Sequence, residues 1–187
     1  MTDFFQVVEF QQRGSPHIHM MAYVDDFETL FGKKMDVDHD SKVRNFIDQF
    51  ITCSKTRASK ENINGQTHTC RPSYCHRKKN KYTTCRFNYP QPPMDTTCIL
   101  DPFSENEKTT HGETPKKDWK KTNEFLTTIP QTDEVQYTFE NFLKTINLSK
   151  SQYVLALRIF LQRTIVFIKR ATNELNINAY NKKCLEI

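Results

Sequence analysis

Hydrophobic positions along the chain alternate between extended runs and helical spacing. From Phe4 to Gln11 the run FFQVVEFQ is crowded with aromatic and β-branched residues, and HIHMMAYV from His17 to Val24 is a second such run. Between them RGSP, Arg13 to Pro16, supplies a turn, because Gly14 can take positive φ and Pro16 holds Ser15 extended. The two runs are expected to pair as an antiparallel hairpin. Val43, Phe46, Ile47, Phe50 and Ile51 then recur at helical spacing, which predicts a helix over Ser41 to Cys53 with Asp40 as its N-cap.

Periodicity is lost after that helix. Ser54 to Pro93 is polar, basic and cysteine-containing and ends in NYPQPP, the composition of an inserted lobe. Asp101 to Lys121 is charged and holds Pro102, Gly112 and Pro115, which predicts a long exposed loop or linker. Helical spacing returns over Asp133 to Ile146 and Lys150 to Gln162, where Tyr153, Leu157, Phe160 and Leu161 share a face. TIVFIKR, Thr164 to Arg170, reads as a strand or helix end, and NINAYN near Tyr180 as a turn. The expected fold is α+β: an antiparallel sheet carrying the hairpin, flanking helices and a cysteine-rich, zinc-like insertion. Its parts are 1–53, 54–100, the linker 101–132, and a helical pair with a C-terminal segment, 133–187.

Composition narrows the setting. With 187 residues, 36% hydrophobic and 26% charged, and a mean hydropathy of -0.72, the chain can bury a core but is rich in surface. Its longest apolar stretch, IFLQRTIVFI, is interrupted by Arg163 and falls short of the roughly 20 residues that a spanning helix needs. The opening MTDFFQVVEF carries Asp3 and Glu9 and no cationic leader, so an intracellular product is expected. In a reducing compartment six cysteines are more naturally ligands or free thiols than disulfides. The net charge of +5 permits a polyanionic partner without requiring one. Its local distribution is more pointed: Arg71, Arg77, Lys78, Lys79, Lys81 and Arg86 lie among Tyr74, Tyr82, Phe87 and Tyr89. Such cations can neutralise phosphates while the rings stack on unpaired bases, although a solvated lysine-rich loop has the same composition.

Two sets of residues have the chemistry of metal ligands. His17 and His19 are one residue apart, so in a strand both belong to one face. A third ligand has to come from the partner strand. The expected register opposes Glu9 to His19, with Gln11 on the same face as a reserve, and a slip of one residue would turn both away. Two imidazoles and one oxygen suit Mn²⁺ or Mg²⁺ with open positions, although the histidines would also accept Zn²⁺. An open position can polarise a phosphodiester and hold it for attack by a tyrosine. Separately, His68, Cys70, Cys75 and Cys85 give H-x-C-x4-C-x9-C, a spacing that can close around a tetrahedral, structural Zn²⁺, with His76 and Cys98 as competing ligands.

The stretch EFQQRGSPHIHMMAYV resembles the HUH motif of Helitron-type transposon Rep domains, and its pattern is also similar to the rolling-circle Rep proteins of small single-stranded DNA viruses. THTCRPSYCHRKKNKYTTCRFNYPQPP resembles the cysteine-rich segment that follows in the Helitron proteins, and VFIKRATNELNINAYNKKCLEI their later segment ahead of the nucleophile. The resemblance implies metal-dependent nicking and joining of single-stranded DNA, with Glu9, His17 and His19 holding the ion. For a eukaryotic host it implies a nuclear location. Tyr180 and Lys183 form a Y-x-x-K pair, yet the resemblance puts this segment before the family's catalytic tyrosines, so the nucleophile is expected beyond Ile187. The family's upstream motif and helicase domain have no counterpart here, and no G-x-x-x-x-G-K-[ST] loop occurs. Two other readings stay open: a nucleic-acid-binding remnant without catalysis, and a zinc-dependent interaction module.

Overall fold

The computed structural model describes residues 3–10, 16–23, 39–79, 82–132 and 137–181. It is α+β, with seven α-helices and four separate two-stranded antiparallel ribbons among the described residues. The chain divides into two compact units, Met1–Asn45 and Phe46–Ile187.

In the first unit β1 (Asp3–Phe10) pairs antiparallel with β2 (Pro16–Tyr23), as the two extended runs predict. The register opposes Glu9 to His17 and Val7 to His19. The expected Glu9 to His19 pairing is therefore corrected by two residues. A shift of two keeps every position on its face, whereas a shift of one would have exchanged the faces. Gln11 lies outside the described residues.

Helix α1 (His39–Phe50) starts earlier and stops sooner than its apolar stripe suggests. Asp40 is thus not the N-cap but an acidic residue of the first turn, where it favours the helix dipole. The helix ends because Ile51–Thr52 become β3 and pair with β8 (Tyr180–Asn181). The NINAYN segment is accordingly a pairing segment as well as a turn: Ile177 bridges Thr67 just before β8.

The expected linker over 101–132 is overturned. Residues 105–126 form α4 (Glu105–His111) and α5 (Thr114–Leu126). Helix α4 buries none of its residues, so no apolar stripe announces it. A capping box holds it instead: Ser104 accepts from the Glu107 amide, and Glu107 accepts from the Ser104 amide at 2.9 Å. Helix α5 does carry a stripe, Pro115, Trp119, Thr122 and Leu126, but a proline and a threonine disguise it.

Glu107 also anchors α4 to a later helix. Helices α6 (Phe139–Thr145) and α7 (Lys150–Arg158) follow the predicted pair with shorter ends, and Asp133 to Gln136 lie outside the described residues. Arg158, at the end of α7, donates from Nη1 to Glu107 at 2.8 Å and from Nη2 at 3.1 Å. These bonds from Arg158, followed by those from Ser104, hold the Glu107 carboxyl down at about 2. Because the folded value lies below the usual 4.5, the stability Glu107 contributes is present above pH 4.5 and is lost as pH falls through about 2. We expect an NMR titration to place the Glu107 midpoint near 2, and Arg158→Ala to return it towards the ordinary range. A midpoint unmoved by Arg158→Ala would show that the guanidinium does not set it.

The main core of the second unit is largely aromatic. Phe142 and Tyr153 are fully buried and meet edge to face at 5.5 Å, with Phe139 against both and Leu126, Ile146 and Leu175 around them. The Tyr153 hydroxyl donates to the Pro93 carbonyl at 2.9 Å, satisfying the one polar atom of a buried ring. Phe160, expected on the same helical face, is 62% exposed because α7 ends at Arg158. Strands β6 (Cys98–Leu100) and β7 (Ile165–Phe167) pair antiparallel beside this core, and Met94 and Arg170 exchange main-chain bonds next to them. No helix of the described residues is long and apolar enough to cross a membrane.

Candidate metal centre

Four side chains between His68 and Cys85 converge in the second unit. The ligand atoms of His68, Cys70, Cys75 and Cys85 all lie within 4.8 Å of one another. A tetrahedral zinc with Zn–S bonds near 2.3 Å places its sulfurs about 3.8 Å apart, so a small contraction of this cluster seats the ion. Within it, Cys85 Sγ lies 3.3 Å from His68 Nε2.

Local sequence explains the convergence. Helix α2 (Lys60–Gln66) is capped by Ser59 and closes at Thr67, whose bridge to Ile177 fixes the chain entering the site. The His68 amide then donates to the Asn176 carbonyl at 2.7 Å. Its imidazole stacks on Tyr89 with centroids 4.2 Å apart, and the Tyr89 hydroxyl donates to the Asn178 side chain. Pro72 opens a single helical turn, α3 (Pro72–Cys75), in which the Cys75 amide donates to the Arg71 carbonyl at 2.7 Å. Strands β4 (His76–Lys79) and β5 (Tyr82–Cys85) fold back on each other with His76 opposite Cys85. This pairing returns Cys85 to the neighbourhood of Cys75. The Arg86 amide locks its base by donating to the Cys75 carbonyl at 2.7 Å.

The cluster's own groups set its electrostatics. Desolvation, then the neighbouring Cys85 and Cys75 sulfurs, pushes the Cys70 thiol up to about 12. Burial also opposes ionisation of Cys85, but the amides of Tyr89 and Phe87 and the other two sulfurs outweigh it, so its value falls. Burial lowers the His68 value, which keeps the imidazole neutral, the form that binds metal. The Arg71 amide lies 3.4 Å from Cys75 Sγ, a donor suited to a thiolate. Such a set, three sulfurs and one imidazole, suits Zn²⁺ far better than Mn²⁺ or Mg²⁺. Four protein ligands leave no open position, which fits a structural ion. A cleft of about 260 Å³ borders the cluster, lined by His68, Cys70, Cys85, Tyr89, Gln131 and Asn176 among others. A larger hollow of about 680 Å³, bordered by Asp48, Lys169 and Phe139, gathers no such ligand set.

The other predicted residues fall in different places. Cys98 lies in β6 and packs against the main core, away from the cluster. Tyr180 is 5% exposed, sits with Ile63 and Ile177, and donates its hydroxyl to the Ser54 carbonyl at 2.6 Å, so it serves the fold. Lys183 lies outside the described residues. For Glu9, His17 and His19 the structure describes the backbone register alone. Of the expected DNA contacts, Arg71 and Arg86 are exposed, the side chains of Arg77, Lys78 and Lys79 are not among those described, and Lys81 lies outside the described residues. Spacing did not reveal how Arg86 is held: its guanidinium lies 3.9 Å from the Tyr74 ring centroid and 4.6 Å from that of Phe87. Compared with family models, with curated proteins and with solved structures, the chain matches none.

Proposed function

We propose that this chain is the strand-handling part of a Helitron-type Rep protein, an HUH endonuclease that nicks and joins single-stranded DNA with a divalent ion. The supporting observation is the β1–β2 register. It opposes Glu9 to His17, with His19 two residues along, so the three positions belong to one face of the ribbon. On that face a carboxylate and two imidazoles form a three-ligand set that leaves positions open for a phosphate oxygen. The zinc centre, in this reading, is structural and carries the basic segment that grips the strand. Tyr180 is engaged in the core through its bond to the Ser54 carbonyl, so this reading does not take it as the attacking tyrosine.

The experiment has two readouts. Calorimetry with Mn²⁺ is expected to detect binding in the parent chain and none after His17→Ala with His19→Ala, while zinc stays bound at the cysteines. Unchanged Mn²⁺ binding in that double variant removes the reading. A single-stranded oligonucleotide incubated with a protein that carries both this chain and the attacking tyrosine is expected to yield a covalent protein–DNA adduct. Strand binding without an adduct would favour the second reading, a zinc-dependent nucleic-acid-binding module without catalysis. The buried hydroxyl of Tyr180 is the observation on its side.

A further inference from the structure

We infer that Tyr74, Arg86 and Phe87 form a docking point for single-stranded nucleic acid, and that the His68–Cys70–Cys75–Cys85 metal centre assembles it. The inference rests on the strand-handling reading for the class of partner and extends it by naming the contact and what controls it.

The three residues are adjacent to metal ligands in sequence: Tyr74 precedes Cys75, while Arg86 and Phe87 follow Cys85. Two chain segments on either side of the β4–β5 ribbon thereby present one surface. Tyr74 is 44% exposed and Phe87 42%, large values for aromatic side chains, and their centroids are 6.0 Å apart. The guanidinium of Arg86 rests against both rings. An arginine held this way is ordered before its partner arrives, so less side-chain freedom is lost on binding. Its donors suit a phosphate, and the exposed ring surface suits an unpaired base.

The charge of the segment selects the partner. Between Glu61 and Asp95 the sequence has no carboxylate, and all six cations named above fall within it. A duplex would satisfy the cations but keep its base faces stacked away from the rings. A strand with unpaired bases satisfies both.

The metal enters through the backbone. Main-chain bonds from Arg86 to Cys75 and from Asn88 to Cys85, at 2.7 and 3.0 Å, join the ring-bearing segments at the ligands. The Phe87 ring also meets the His68 ring edge-on at 5.7 Å. Ligation of Cys75 and Cys85 by one ion fixes the spacing between Tyr74 and Phe87. The nucleic acid need not touch the ion for its affinity to depend on it.

The test uses the full chain, a fluorescent oligothymidylate and anisotropy. Removing zinc with a chelator is expected to weaken binding at least tenfold, and adding Zn²⁺ back to restore it. Tyr74→Ala with Phe87→Ala, checked for unchanged zinc content, is expected to weaken binding by roughly tenfold. Arg86→Ala should lower the slope of log affinity against log salt by about 0.7. Lys144→Ala, which removes an exposed cation on α6, should leave affinity unchanged. Binding by the zinc-loaded ring variant equal to the parent overturns the docking point, and so does equal affinity for a duplex or equally effective competition by polyglutamate. Parent-like affinity in the metal-free chain overturns the metal's role. These outcomes are independent of strand cleavage: a chain that binds through the rings but never forms an adduct loses the nuclease reading and keeps this one.

Discussion

Cys85→Ser is expected to lower zinc affinity more than a hundredfold and to loosen the segment from His68 to Tyr89. Changes in residues that merely orient metal ligands cost 10- to 100-fold, roughly, so loss of a ligand should exceed that. Apparent binding free energies of structural zinc sites are about 10–16 kcal/mol, and in small metal-built lobes that energy is folding energy. Here helix α3 is four residues long and each strand of the β4–β5 ribbon has four, and among the described side chains from His68 to Tyr89 the buried ones are Cys75 and Cys85. Cys85 is the ligand to remove first because it is buried and already lies beside His68. Zinc must displace protons from the cluster, so affinity should fall as pH falls, and the Cys70 thiol, held up at about 12, has a proton to give up across the neutral range. Competition with a chromophoric chelator measures the affinity, and cobalt substitution reports the number of thiolates by its charge-transfer absorption. Parent-like zinc affinity in Cys85→Ser would show that these four side chains are not a metal site.

How much of this centre the sequence disclosed depended on where its determinants lie. The ligands His68, Cys70, Cys75 and Cys85 were readable because sulfur and imidazole are rare and their spacing allows closure, and the structure brings these four together. The supports were not readable. Asn176, which fixes His68, lies more than a hundred residues downstream, and nothing local marks its carbonyl as a partner. The β1–β2 ribbon was legible from composition, because extended runs around a glycine–proline turn have few alternatives, while its register was displaced by two residues. Turn length alone does not choose between registers that preserve the same faces. Helix α4 escaped because capping and an ion pair, rather than an apolar stripe, hold it. Cys53 and Arg170 carried no local sign of pairing, yet they meet in the interior.

Replacing Arg170 with methionine is expected to cost about 3–5 kcal/mol of stability and to weaken zinc binding severalfold, although the residue is not a ligand. Arg170 is 7% exposed, and its Nη1 donates to the carbonyls of Glu174 and Ile177 at 2.6 and 2.5 Å. Its Nη2 lies 3.0 Å from Cys53 Sγ. Burial alone would disfavour the charge, but the neighbouring Cys53, Tyr89 and Glu174 oppose that effect. Glu174 is held in turn by the amides of Lys55 and Ala171, at 2.7 and 3.0 Å. Methionine fills much of the same volume but donates nothing, so two carbonyls lose their donor and Glu174 keeps its carboxylate without the nearby cation. Each unsatisfied buried group costs about 1–3 kcal/mol, and uncompensated charge adds to it. The loop from Arg170 to Ile177 also presents the Asn176 carbonyl to the His68 amide. When that loop loosens, His68 loses its fixed position while Cys70, Cys75 and Cys85 remain, so zinc should bind more weakly without being lost. Urea unfolding of the zinc-loaded chain and chelator competition measure the two effects side by side. A stability change below about 0.5 kcal/mol, the range of an ordinary surface substitution, would show that the guanidinium does not hold the loop. A stability loss with unchanged zinc affinity would show that the loop does not position His68.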